Sequence, residues 1–140
     1  MTDSLLTGGC TCGGVRFEIA GSLLSAGYCH CTRCQRRTGT GSSANATVAP
    51  GALRVTAGGE LVRVWAAADG KAKAFCSACG GHVWSEDPHD PDEKSVRLGA
   101  LDGDPGVPLS YRQYVAYAAP WDPIPDDGLP RYDERRPPGV

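Results

Sequence analysis

The seven cysteines of this 140-residue chain constrain its fold more than any other feature. They fall into three groups, Cys10-x-Cys12, Cys29-x-Cys31-x2-Cys34 and Cys76-x2-Cys79, each with chelating spacing. Side chains alternate along an extended segment, so Cys10 and Cys12 point to one side and can share an ion, and so can Cys29 and Cys31. The same alternation sends His30 to the opposite side from its two neighbours, which argues against it as a ligand of that ion. Gly80 and Gly81, following Cys79, allow the backbone to turn around a metal. An odd number of cysteines suits a disulfide framework poorly, and the N-terminal "MTDSLLTGG" has neither the basic region nor the apolar run of a secretory signal. The expectation is metal ligation in a cytoplasmic protein.

Zinc takes four ligands where it is structural, and three protein ligands with an open position where it is catalytic. Seven cysteines divide as four plus three. Spacing permits two partitions: Cys10, Cys12, Cys76 and Cys79 closed with Cys29, Cys31 and Cys34 open, or Cys31, Cys34, Cys76 and Cys79 closed as a zinc ribbon. The first keeps the compact C-x-C-x2-C cluster whole and is favoured for that reason. A third reading is a single structural zinc with three spare buried thiols, since free cysteines are often simply small apolar residues.

The rest of the composition narrows the class. A chain of this length forms one domain that buries roughly 70% of its unfolded surface. Nineteen glycines and eleven prolines favour short strands joined by turns. Fourteen basic residues against sixteen acidic ones, without a basic block, argue against nucleic acid as a partner. No apolar run reaches the roughly 18 residues of a membrane helix.

"VRFEI", Val15 to Ile19, alternates as a half-buried strand does. "LVRVWAAADGKAKAF" carries an Asp69-Gly70 turn signal between two candidate strands and predicts a hairpin ending at Cys76. "SVRLGAL" and "SYRQYVAY" read as further strands, and Thr32 to Arg37 as a short helical turn. Together these predict a compact antiparallel β domain with a core over about residues 8–119. The acidic, proline-broken "SEDPHDPDEK", Ser85 to Lys94, reads as an exposed loop. From Pro120 onward six of 21 residues are proline, predicting an extended strap over about residues 120–140. Trp121, Ile124, Leu129 and Tyr132 are its candidate anchors, and "RRPPGV" is expected to be loose. Trp65 and Trp84 are expected in the core or on a sheet face, His82 in a structural hydrogen bond and His89 in solvent.

"GGCTCGGVRF", "CHCTRCQRRTG", "FCSACGG" and "APWDPIPDDGLPRYDE" together resemble the glutathione-dependent formaldehyde-activating enzyme family, which also includes centromere protein V. The resemblance runs from about Gly8 to Glu134. It implies a conical, mainly β fold with two zinc ions, related in shape to methionine sulfoxide reductase B. Carried onto this chain, it implies a structural zinc on Cys10, Cys12, Cys76 and Cys79 and a catalytic zinc on Cys29, Cys31 and Cys34. The implied activity is that of a carbon-sulfur lyase similar to S-(hydroxymethyl)glutathione synthase, with a low-mass thiol and formaldehyde as small-molecule partners. The chain departs from the family in "PLSYRQYVAYAAPW": where many relatives carry a histidine, it has Arg112 or Gln113.

A three-thiolate zinc with an open position can hold an incoming thiol as thiolate, the form that attacks an aldehyde. Arg33, Arg36 and Arg37 beside the cluster are candidate partners for the carboxylates of a peptide-like thiol, and are otherwise solvated surface charge. Two other functions fit less well. A non-enzymatic, zinc-stabilised binding module uses the same scaffold without the open site. A sulfoxide reductase needs a redox cysteine free of metal, which the four-plus-three partition does not leave.

Overall fold

A computed structural model describes residues 5–140. In chain order the strands are β1 Leu5–Gly9, β2 Arg16–Ala20, β3 Ser25–Cys29, β4 Ser43–Thr47, β5 Leu53–Ala57, β6 Val62–Trp65, β7 Ala72–Cys76, β8 His82–Asp87, β9 Asp90–Arg97, β10 Arg112–Gln113 and β11 Arg131–Tyr132, with one α-helix, α1, over Thr32–Thr38. The fold is mainly β, as the glycine and proline content predicts. Its contacts group into two compact units, one made of the chain up to Leu24 with Ala46–Val107, the other of Ser25–Asn45 with Pro108–Val140. No helix among the described residues is long and apolar enough to cross a membrane.

In the first unit β2 lies between β1 and β5, antiparallel to both. The alternation of "VRFEI" holds: Val15, Phe17 and Ile19 are fully buried. Arg16 and Glu18, between them, reach outward to ion-pair with Asp102 and Arg54. Strands β9, β8, β7 and β6 follow one another in antiparallel order. The Phe17 ring meets Trp84 of β8 edge-on, with centroids 6.0 Å apart and planes at 87°. Burying each of these large side chains is worth about 1.5–3 kcal/mol, with an edge-to-face increment of about 0.5–1.5 kcal/mol.

The predicted hairpin is present, with Val62 opposite Cys76 and Trp65 opposite Lys73. Ala72, Ala74 and Cys76 alternate inward on β7. The two alternatives expected for the tryptophans fall one to each: Trp84 is buried in the core, and Trp65 stands 57% exposed on the face of β6, which ends the strand order. The segment Ser85–Lys94 is not a loop either. It forms the end of β8, a tight turn at Pro88-His89 and the start of β9. Carboxylates sustain this turn, with Asp87 Oδ1 accepting from the His89 N–H at 2.8 Å and Asp90 Oδ1 from the Asp92 N–H at 3.2 Å. Glu86 faces Lys94 across the strands, an opposite-charge pair. "SVRLGAL" is strand only to Arg97, after which Leu98–Ala100 tightens into a 3-10 turn.

In the second unit β10 runs parallel to both β3 and β11, which departs from the purely antiparallel expectation. "SYRQYVAY" supplies only two strand residues. Tyr114 takes a left-handed backbone, φ 57°, and Val115–Tyr117 then turns as a 3-10 helix. The strap is pinned by β11 beside β10 and by half-buried Ile124, Leu129 and Tyr132. Trp121, expected as an anchor, is instead 67% exposed. The final residues are tied rather than loose: the Arg136 N–H donates to Gln113 Oε1 at 3.1 Å, and its guanidinium lies 4.5 Å over the Tyr111 ring.

Candidate metal centres

The first unit brings Cys10, Cys12, Cys76 and Cys79 together, their sulfurs all within 4.8 Å of one another. Two turns present them. One is the bend after Cys10, where the Gly13 N–H donates to the Cys10 carbonyl at 3.1 Å, and the other follows Cys76, where the Gly80 N–H donates to the Cys76 carbonyl at 2.7 Å. Gly13 and Gly80 both take φ 77°, the left-handed backbone that glycine adopts without penalty. Every sulfur accepts a backbone N–H: Cys10 from Val15 at 3.2 Å, and Cys12, Cys76 and Cys79 from Gly14, Ala78 and Gly81, each at 3.4 Å. Such bonds favour thiolate over thiol.

The donor set fits a thiophilic divalent ion. Sulfurs 2.3 Å from a tetrahedral centre are about 3.8 Å apart, and here Cys10 and Cys12 are 3.6 Å apart and Cys12 and Cys76 3.9 Å. Crowding splits the thiol acidities. Cys79, helped first by the Cys12 N–H and then by that of Gly81, falls to about 6. Cys12 is favoured by the Gly14 N–H, yet the sulfurs of Cys10 and Cys79 beside it push it up to about 11. Four neighbouring thiolates repel one another, and a cation at their centre removes that cost.

The second unit gathers Cys29, Cys31 and Cys34, again with all three sulfurs within 4.8 Å of one another. Cys29 ends β3 and is buried. Cys31 is the N-cap of α1, extended at φ −65° and ψ 155°, with its Sγ accepting the Cys34 N–H at 3.3 Å. One side chain thus both caps the helix and faces the cluster. Cys34 lies on the buried side of α1, which ends in a left-handed Gly39. The sulfurs of Cys31 and Cys34, together with burial, push the Cys29 thiol far up, so this trio also suits a cation. The ring nitrogens of His30 are not among the gathered donor atoms, as strand alternation predicts.

The two groups therefore correspond to the first of the two partitions, not to the zinc ribbon. The three arginines separate. Thr32, Gln35, Arg36 and Gly39 recur along one face of α1 and line an open depression of about 350 Å³ together with Thr40 and the exposed Trp121. Arg33 and Arg37 lie off that face, and each has partners within the chain. No spacing or periodicity singles out Gln35, whose Nε2 donates to the carbonyls of His30 and Tyr117, both at 2.9 Å. None singles out Asp127 either, which holds Arg112.

Residues 5–116 match the profile of the family described as glutathione-dependent formaldehyde-activating enzyme. The chain belongs to the glutathione-dependent formaldehyde-activating enzyme family. All seven cysteines lie within the matched residues, so both clusters are part of what the family profile spans. A curated protein of Halomonas elongata that provisionally bears the family's name is 30% identical over 106 residues, covering 71% of this chain and 68% of its own. A crystal structure of a Rhodobacter sphaeroides protein, solved as a structural genomics target, superposes with a TM-score of 0.58 at 26% identity. It covers 90% of this chain and 98% of its own length.

Proposed function

We propose that this family member is a zinc-dependent carbon-sulfur lyase that forms and cleaves the adduct of formaldehyde with a low-mass thiol. The observation that carries this reading is the pairing of a complete four-sulfur set with a separate set of only three. On it, Cys10, Cys12, Cys76 and Cys79 hold a structural zinc, and Cys29, Cys31 and Cys34 hold the reactive one. The likeness to methionine sulfoxide reductase B in shape, and residence in a reducing cytoplasm that keeps the thiols available, belong to the same reading. Zinc on Cys29, Cys31 and Cys34 would supply an open position where an incoming thiol is held in its nucleophilic, deprotonated form.

The chain's own residues do the rest. Buried Cys29 and Cys34 close the inner side of the trio, while Cys31, half-buried at the mouth of α1, faces the side from which a thiol enters. Arg36, lining the depression with Trp121, binds a carboxylate at the far end of the thiol. A carbon-sulfur bond forms, the carbonyl π pair moves to oxygen, and the thiol's proton ends on the new hydroxyl. No oxidant or reductant is consumed. Exchange between free and adduct forms, followed by NMR over a panel of low-mass thiols with formaldehyde, tests the reading. Faster exchange for at least one thiol is expected, and no acceleration for any thiol rules it out.

A further inference from the structure

The departure at Arg112 leads to a residue with a specific task. Arg112 is buried, 7% exposed, in the two-residue strand β10, where it lies opposite Tyr28 of β3 on one side and Arg131 of β11 on the other. Its guanidinium is engaged on three sides. Nε and one terminal nitrogen donate to Asp127 Oδ2 at 3.1 and 2.8 Å, the plane lies 4.0 Å over the Tyr28 ring, and the other terminal nitrogen is 3.2 Å from His30 Nε2. His30, between Cys29 and Cys31, is 2% exposed. Its backbone is fixed at both ends: the N–H donates to the Gln113 carbonyl at 3.0 Å, and the carbonyl accepts from Gln35 at 2.9 Å.

A guanidinium has donors only, so in the 3.2 Å contact Arg112 donates and His30 Nε2 accepts. The single lone pair of the neutral ring is thereby used, and the proton is placed on Nδ1. The result is a ring locked in one tautomer and one orientation, with no nitrogen left over for a metal. We propose that Arg112 is the positioning residue of the three-cysteine site: through His30 it fixes the backbone between Cys29 and Cys31 and keeps the donor set at three sulfurs, with Asp127 of the C-terminal strap as its clamp. This rests on the two-site reading above, and sharpens it by naming what keeps the second site open.

The test uses the full chain loaded with cobalt(II) and, separately, 15N-labelled protein. Wild type, Arg112→Ala, Arg112→Lys and the milder Asp127→Asn are compared. Arg112→Ala should alter the visible bands of one of the two cobalt ions and speed chelator removal of that ion about tenfold or more, with the four-sulfur ion unchanged. Arg112→Lys, which cannot span both partners, should behave similarly, and Asp127→Asn more mildly. His30 in wild type should show a protonated Nδ1 and an accepting Nε2, a pattern lost in Arg112→Ala. Unchanged cobalt bands in a folded Arg112→Ala, equal loosening of both ions, or a wild-type ring protonated on Nε2 each overturn the inference. A wild type that loads one ion only sinks the two-site reading, while the ring nitrogens still decide the placement of His30: a tautomer that depends on Arg112 upholds it, and an indifferent one overturns it.

Discussion

At Asp127 one carboxylate holds a buried guanidinium, and Arg112 in return keeps that carboxyl below its ordinary range. A group whose folded pKa is depressed stabilises the fold above its unfolded pKa, about 3.9, and the stabilisation is lost as pH falls through the lower folded value. Calorimetric melting of wild type and Asp127→Asn at a series of pH values should therefore show the wild-type advantage shrinking below about pH 4. Parallel curves would contradict it. On the exposed face of α1, Arg36→Ala should raise KM for an anionic thiol about tenfold with kcat nearly unchanged, as expected for loss of a charge-assisted contact. At Gly27 an added Cβ would lie 2.3–2.4 Å from three atoms of the Tyr111 ring. Gly27→Ala should cost about 1–3 kcal/mol in urea denaturation. At this scale the cysteines were legible, because chelating spacing is local. The Arg112–Asp127 pair was not: its partners lie 15 residues apart across an irregular tail, and no periodicity links them.

At the level of elements, the short turn between β5 and β6 leaves no room for a side chain at Gly58. Gly58 has φ 73°, and a Cβ there would sit 2.0 Å from the Gly14 carbonyl oxygen. Gly14 also supplies the N–H to Cys12 Sγ, which links this turn directly to a candidate metal ligand. Gly58→Ala should destabilise by at least about 2 kcal/mol and hasten metal loss from the four-sulfur set, read by chelator competition. Normal metal retention in that variant would show that the turn and the cluster are independent. The β6–β7 hairpin and β2 could be read from turn chemistry and alternation. The β8–β9 turn could not, since its strand ends are held by hydrogen bonds and opposite charges rather than by an apolar face. "SYRQYVAY" has the residue types of a longer strand than the two residues it contributes, because the chain leaves the sheet at left-handed Tyr114, which no neighbouring residue announces.

Across the whole molecule, each compact unit holds one cysteine cluster complete within itself. The four-sulfur set closes a loop from Cys12 to Cys76, 64 residues in span. Structural zinc contributes apparent free energies of about 10–16 kcal/mol in small domains, so stripping the zinc proposed at this set should unfold the first unit. The three-sulfur set spans only five positions and offers little loop closure, in keeping with the proposed use of that site in chemistry rather than in folding. A closed site and an open one are told apart by metal analysis of purified wild type beside a Cys29→Ser, Cys31→Ser, Cys34→Ser triple variant. About two zinc ions per chain are expected in wild type and about one in a still folded variant. One zinc in both proteins would contradict the two-site reading.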